Sequence, residues 1–194
     1  MQAMRGLCAV AIMALAGQAG AQAVDGATAR KMVFKPKGVQ VTIVAHDFLS
    51  EDDRKALAYA AEQQPYYGAI AMSPSEGLIS EATLAAANFH DVDSARAKAL
   101  ESCNAARKKG TRPCVIAAEI RPSGWEARPL SLSASATEAL RKEYGRGRGE
   151  KALAISPSTG KYAVSKGAGA ADTALASCAA TAGAGDCRIA VADR

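Results

Sequence analysis

Apolar and polar positions alternate along residues 39–45 (VQVTIVA), a β-branched run that predicts a strand with Val39, Val41 and Ile43 on one face. The polarity then changes: Ser50-Glu51-Asp52-Asp53 puts a capping hydroxyl and three acids where a helix N-terminus is electropositive, predicting a helix to about Gln64. Pro65 stops that helix, and the apolar run 66–72 is the next strand. Residues 73–77 (SPSEG) pair a proline of fixed φ with a glycine free to take positive φ, the chemistry of a hairpin turn. An extended segment over 78–89 leads to Asp91, which caps a helix whose Ala95, Ala99, Cys103 and Ala106 fall on one stripe. Arg107-Lys108-Lys109 and Gly110 suit the C-terminal end of that helix, and 114–120 (CVIAAEI) follows as a strand.

The same order then returns. Residues 68–77 (GAIAMSPSEG) recur 83 positions later as 151–160 (KALAISPSTG). Each copy precedes an Ala-rich helical pattern ending in AL-x-S-C (at Cys103 and Cys178), a glycine (Gly110 and Gly183), and a second cysteine (Cys114 and Cys187) that opens a strand. In the second half, 121–124 (RPSG) echoes 35–38 (KPKG), 130–133 reads as a short strand, and 135–138 (SATE) is a capping box opening a helix to about Tyr144. A Gly-rich link at 145–149, a hairpin over 152–155 and 161–166, a helix at 170–182 and a strand at 187–192 complete it. The pattern predicts an α+β protein of two pseudo-repeated β-α-β-β-α-β units, 39–121 and 122–194, behind a polar leader at 24–38 and packed as one globular body. This order fits either ferredoxin-like split units or one mixed sheet running through both halves. The units differ most between turn and helix, where Gly77 to Cys103 is eight residues longer than Gly160 to Cys178.

Residues 1–23 have the layout of an export signal: Arg5 as the sole charge, an apolar stretch at 7–16, and Ala21-Gln22-Ala23 as a small-x-small cleavage site. The mature chain is expected to begin at Val24, or at Gln22 if Ala19-Gly20-Ala21 is used; Cys8 leaves with the signal. No later stretch is long and apolar enough to span a membrane. Losing Arg5 lowers the formal charge of +5 by one, a modest value with acids interspersed, so nucleic acid is not implied as a partner. Four cysteines remain, an even number in an exported chain, which favours disulfides. Each unit carries its own pair, giving Cys103 with Cys114 and Cys178 with Cys187.

The run Tyr67-Gly68-Ala69-Ile70-Ala71 with SP-x-x-G, the helix ending AL-x-x-C and the cysteine-led strand resembles a group of small secreted bacterial domains of unknown function with the pattern YGAIAxSPxTG…AALxxC…CxVV. The resemblance covers roughly 67–120 and 151–191, with Lys151 standing where the pattern has Gly. It implies fold and export, and no enzymatic activity. A 5-aminolevulinate synthase assignment would not be supported, because the chain offers no recognisable Schiff-base lysine site and is far too short.

Candidate chemistry is sparse. Ser73, Ser75, Ser156 and Ser158 lie in turns, but a serine nucleophile needs a base and an orienting group, and the second unit has no histidine. His46-Asp47 and His90-Asp91 are the one set able to serve a small hydrolase or a metal-dependent enzyme. Arg141, Lys142, Arg146 and Arg148 surround a Gly-rich loop without the GK[ST] of a phosphate-binding loop. Trp125 and the Tyr66-Tyr67 pair read as closures of a core poor in aromatics. The reading is therefore a periplasmic or secreted non-catalytic binding or structural module, with no catalytic residue, cofactor or metal assigned. Its partner would be an envelope component, peptidoglycan or protein; an envelope inhibitor protein is a further alternative. If shared residues maintain the fold, binding belongs to what one unit has and the other lacks: a surface at His90 and Asp91 first, the Arg146 and Arg148 loop second.

Overall fold

The computed structural model describes residues 23–194, so the expected signal falls outside the described residues. Helix α1 (Gly26–Met32) starts at Asp25, whose carboxylate accepts the amides of Ala27 and Thr28. The polar leader expected at 24–38 thus contains a helix that the sequence pattern does not predict. Strand β1 (Val39–Ile43) alternates in burial as expected, and Ser50 and Asp53 form a reciprocal capping box on α2 (Glu51–Glu62). Then come β2 (Gly68–Met72), a short β3 (Leu84–Ala86), α3 (Val92–Ala106) and β4 (Val115–Pro122). These strands form one antiparallel sheet in the order β1-β4-β2-β3. Along β2, Ala69 and Ala71 pack with Ala95, Ala99 and Cys103 of α3, while Ile70 and Met72 pack with Leu57 and Ala61 of α2. The two helices thus cover opposite faces, which buries β2 throughout and departs from a ferredoxin-like unit with both helices on one face.

The second half is built differently at its start. Residues 130–133 form no strand; they lead into α4 (Ala134–Ala139), which widens into a π-helical turn at Leu140–Tyr144. Strands β5 (Lys151–Ile155), β6 (Tyr162–Lys166) and β7 (Arg188–Asp193) form a second antiparallel sheet in the order β6-β5-β7, with α5 (Ala170–Ala182) on one face. There are accordingly two separate sheets, and the alternative of one mixed sheet does not hold. Ala152 and Ala154 face Ala170, Ala174 and Cys178 of α5; Leu153 and Ile155 face Ala29 of α1 and Ala136, Leu140 and Tyr144. The leader helix therefore packs on the second half, occupying with α4 the side that α2 covers in the first. Apolar side chains at 130–133 are used in that packing instead: Leu130 and Leu132 join this cluster.

Both regions share the strand order β3-β2-β4 and β6-β5-β7, and each carries a register shift at one place, Ile70/Ala71 and Leu153/Ala154. Each is closed by a disulfide from helix to strand, Cys103–Cys114 and Cys178–Cys187, both with Cα atoms 6.1 Å apart. Loops of this size contribute about 3 kcal/mol each through the unfolded state. Among the described residues, no helix is long and apolar enough to cross a membrane.

Candidate functional site

His90 lies inside the protein, 2% exposed, where the first-half segment before α3 meets the second half. Its Nδ1 accepts the Ser133 amide at 3.1 Å, which leaves the proton on Nε2 to donate to the Lys161 carbonyl at 3.0 Å. Burial drives its pKa down to about 4 against the opposing pull of that carbonyl and of Asp91, so the ring is neutral at physiological pH. Asp91 caps α3, accepting the Ser94 amide at 2.7 Å and its hydroxyl at 3.0 Å. The pair does border a cavity of about 230 Å³, together with Val24, Leu130, Pro157 and Arg188. The expectation of an exposed His90–Asp91 binding surface is thus corrected: the eight extra residues before α3 carry the imidazole into a joint between three backbone segments.

His46 is committed elsewhere, with Nε2 2.8 Å from the Ile116 carbonyl and its ring stacked on Phe48 at 4.9 Å, while Asp47 is exposed. Among the described residues, no three His, Cys, Asp or Glu side chains gather as a metal site, and the His46/Asp47 and His90/Asp91 pairs do not converge. Of the turn serines, Ser156 is likewise occupied. Ser73 and Ser156 are fully buried, and Ser156 Oγ donates to Asp186 Oδ1 at 2.5 Å while Asp186 Oδ2 accepts the Ser158 amide. Burial works to raise the Asp186 pKa, but these hydrogen bonds prevail and hold it below the usual carboxylate range.

Arg146 and Arg148 are exposed on the loop 145–149 as expected, but that loop is tethered from beneath. Buried Lys151 donates to the Gly147 carbonyl at 3.0 Å, pairs with Asp193 at 3.2 Å, and lies 4.8 Å from the Tyr144 ring centroid. Asp193 also accepts the Gly26 amide at 2.8 Å, tying the leader helix to the last strand. Burial, then the Asp193 charge, raise the Tyr144 pKa. The depression beside Arg148 is lined also by Asp25 and Asp193, so its charge is mixed.

The concentrated positive charge lies where α1 ends, between that segment, the loop after β4 and the π-helical turn. Arg30, Lys31, Lys35, Lys37, Arg128 and Arg141 line a cleft of about 540 Å³ with Val33, Phe34, Ser123 and Gly124; no carboxylate or histidine is in the lining. Two of the cations are anchored. Arg30 Nη1 donates to the Gly145 carbonyl at 2.7 Å. Arg128 donates to the Met32 carbonyl at 3.0 Å and to Glu126 at 2.8 Å, with its guanidinium 3.7 Å over the Phe34 ring. Phe34 belongs to a buried cluster with Tyr66, Tyr67, Val92 and Ala134, and the Tyr66 hydroxyl donates to the Lys35 carbonyl at 2.7 Å, so the floor is fixed. Among the described residues, Lys31, Lys35, Lys37 and Arg141 make no ion pair with an acid. The sequence grouping of Arg141 with Lys142, Arg146 and Arg148 captured one member; the others come from segments nearly a hundred residues apart. The discoverable signal was the KPKG and RPSG echo, since the Ser123 amide donates to the Gly38 carbonyl and brings the two together. No family model, curated protein or solved structure matches this chain.

Proposed function

We propose that the protein is an exported, non-catalytic binding module that takes an anionic envelope component in the basic cleft. The observation that carries this reading is the convergence of six cations on one cleft without a lining carboxylate. Export is supported by the layout of residues 1–23 and by the two disulfides, which persist in oxidising compartments. Descent from a duplicated hairpin–helix–strand unit, akin to the secreted group named above, is supported by the shared strand order, register shift and disulfide position. Among the described residues, the His46/Asp47 and His90/Asp91 pairs are not brought together.

The test is retention of the exported protein on native envelope fractions, peptidoglycan sacculi included, against a Lys31→Gln/Lys35→Gln/Arg141→Gln variant. None of these three side chains anchors backbone, so folding should persist and retention should fall about tenfold. Equal loss on Arg146→Gln/Arg148→Gln would mean that the cleft is not the working surface. Intact mass of the exported material should correspond to a chain starting at Val24; a retained Met1 with a lipid adduct on Cys8 would contradict export by signal cleavage.

A further inference from the structure

We infer that the cleft is built for a phosphomonoester, either free on a sugar-sized body or presented as a lipid headgroup. This rests on the cleft being the working site and adds the chemistry of its occupant.

A carboxylate is planar, carries one charge, and is satisfied by one guanidinium fork. A phosphomonoester near neutral pH carries about −1.5 to −2 and three acceptor oxygens in a tetrahedral array. It can therefore accept donors approaching from separate directions at once. Cations entering from the α1 end, from the loop after β4 and from the π-helical turn offer that arrangement. A phosphodiester, with one charge and two free oxygens, would leave part of the set unneutralised.

The donors divide into fixed and adaptable groups. Arg30 uses Nη1 on the Gly145 and Leu140 carbonyls, and its Nε and Nη2 have no hydrogen-bond partner among the described residues. Arg128 sits over Phe34 and is held by Met32 and Glu126, so its charge is fixed in place. Lys31, Lys35, Lys37 and Arg141 supply mobile charge that can close over a bound group. Ser123 adds a hydroxyl, and Gly124, with nothing within 4 Å of where a Cβ would stand, leaves the entrance open. The nearest acids are engaged: Glu126 by Arg128, and Glu138 by Lys142 at 2.6 Å, whose hydrogen bond and charge, with Lys37, hold Glu138 below its usual range. A volume of about 540 Å³ exceeds one phosphate group and falls in the range of small-ligand pockets.

Titration of the disulfide-intact exported protein with glucose 6-phosphate, compared with glucuronate, tests the chemistry. Glucose 6-phosphate should bind at least about tenfold more tightly, with affinity rising about fivefold or more from pH 5 to pH 7.5 as its second proton, pKa about 6, is lost. The cleft lining holds no carboxylate and no histidine. Phosphatidylcholine vesicles doped with phosphatidic acid, compared with phosphatidylglycerol, test the headgroup source. Binding to phosphatidic acid vesicles alone, or to both them and the soluble sugar phosphate, supports the inference and identifies the source. Glucuronate or phosphatidylglycerol bound as tightly, or a flat pH profile, overturns it while leaving the cleft reading intact if Lys31→Gln/Lys35→Gln/Arg141→Gln still weakens that anion. If no anion binds, or if that variant and Arg146→Gln/Arg148→Gln weaken binding alike, the cleft reading itself falls.

Discussion

The turns at 73–77 and 156–160 have nearly the same sequence and the same backbone bonds, yet they do different work. In each, the glycine amide returns to the serine carbonyl, Gly77 to Ser73 at 3.2 Å and Gly160 to Ser156 at 3.0 Å. Beyond Gly77 lies open space, whereas a Cβ on Gly160 would sit 2.6 Å from the Asn88 carbonyl oxygen. One copy is a surface turn, and the other is the surface on which the first half docks. The strand starts diverge as well. A side chain at Gly68 would meet Ile120 at 2.9 Å and the Ala86 carbonyl at 3.2 Å, but the matching Lys151 is itself buried and reaches the half-buried Asp193 carboxylate. Matching motifs set local conformation; neighbours decide what each position is for.

The largest effect should come from the element only one region has. Asp193→Ala leaves the Lys151 ammonium buried without its partner, with an expected cost of about 3–5 kcal/mol in urea unfolding. Adding Lys151→Met should restore much of the loss, because an apolar chain of similar length removes the stranded charge. A double variant no more stable than Asp193→Ala would show that the Gly26 amide bond, not the ion pair, is the contribution that matters.

His90 makes the joint between the regions acid-sensitive. Its folded pKa of about 4 lies below the ordinary 6.5, so between those values the unfolded chain binds more protons. Stability should therefore rise with pH through that window and be lost on acidification, by up to about 3 kcal/mol. Unfolding midpoints of wild type and His90→Gln measured from pH 7 to pH 4 should converge as pH falls. Parallel curves would remove the imidazole from the account.

Next in size is the pair of turn glycines. Gly160→Ala should cost about 2–3 kcal/mol, combining positive-φ strain with displacement of the Asn88 backbone, and Gly77→Ala about 1 kcal/mol from strain alone. Equal costs in denaturant unfolding would mean that the joint yields without penalty.

What could be read from the chain was whatever local pattern decides. The fully buried strands β2 and β5 show as apolar runs, broken in β5 only by Lys151 at its start, and Ala95, Ala99 and Cys103 do line the buried face of α3, although Ala106, the last of the stripe, is exposed. Both cysteine pairs followed from their repeated placement. What could not be read depends on distant partners. Helix α1 is short and lacks an apolar stripe of its own; it is held by Asp193 and Tyr144, residues more than a hundred positions away. Leu130 and Leu132 looked like a strand because apolar content does not say whether a neighbour offers a sheet edge or a helical cluster. The basic cleft left only the KPKG and RPSG echo as a trace for the same reason, since its cations are dispersed in the chain and meet only after β1 pairs with β4.

The smallest effect is the most informative about how far the two regions match. Asp186 directly precedes Cys187, and the residue preceding Cys114 is Pro113, which has no side-chain acceptor. Ser156 thus has a carboxylate to receive its hydroxyl proton, while Ser73 Oγ, equally buried, has no partner. Glu76 lies nearby, with its Oε1 accepting from the Lys108 amide and the Thr111 hydroxyl, both at 3.1 Å, but no hydrogen bond reaches Ser73 Oγ among the described residues. An unsatisfied buried hydroxyl costs about 1 kcal/mol or more, whereas breaking a satisfied charge-assisted bond costs about 1.5–3 kcal/mol. Ser156→Ala should therefore destabilise by about 2 kcal/mol, and Ser73→Ala should be neutral or stabilise by up to about 1 kcal/mol. Thermal melts of the two single variants should shift in opposite directions, or one should not shift at all. Equal losses would mean that Ser73 has a partner such as bound water, and that the two turns are alike in energy as well as in shape.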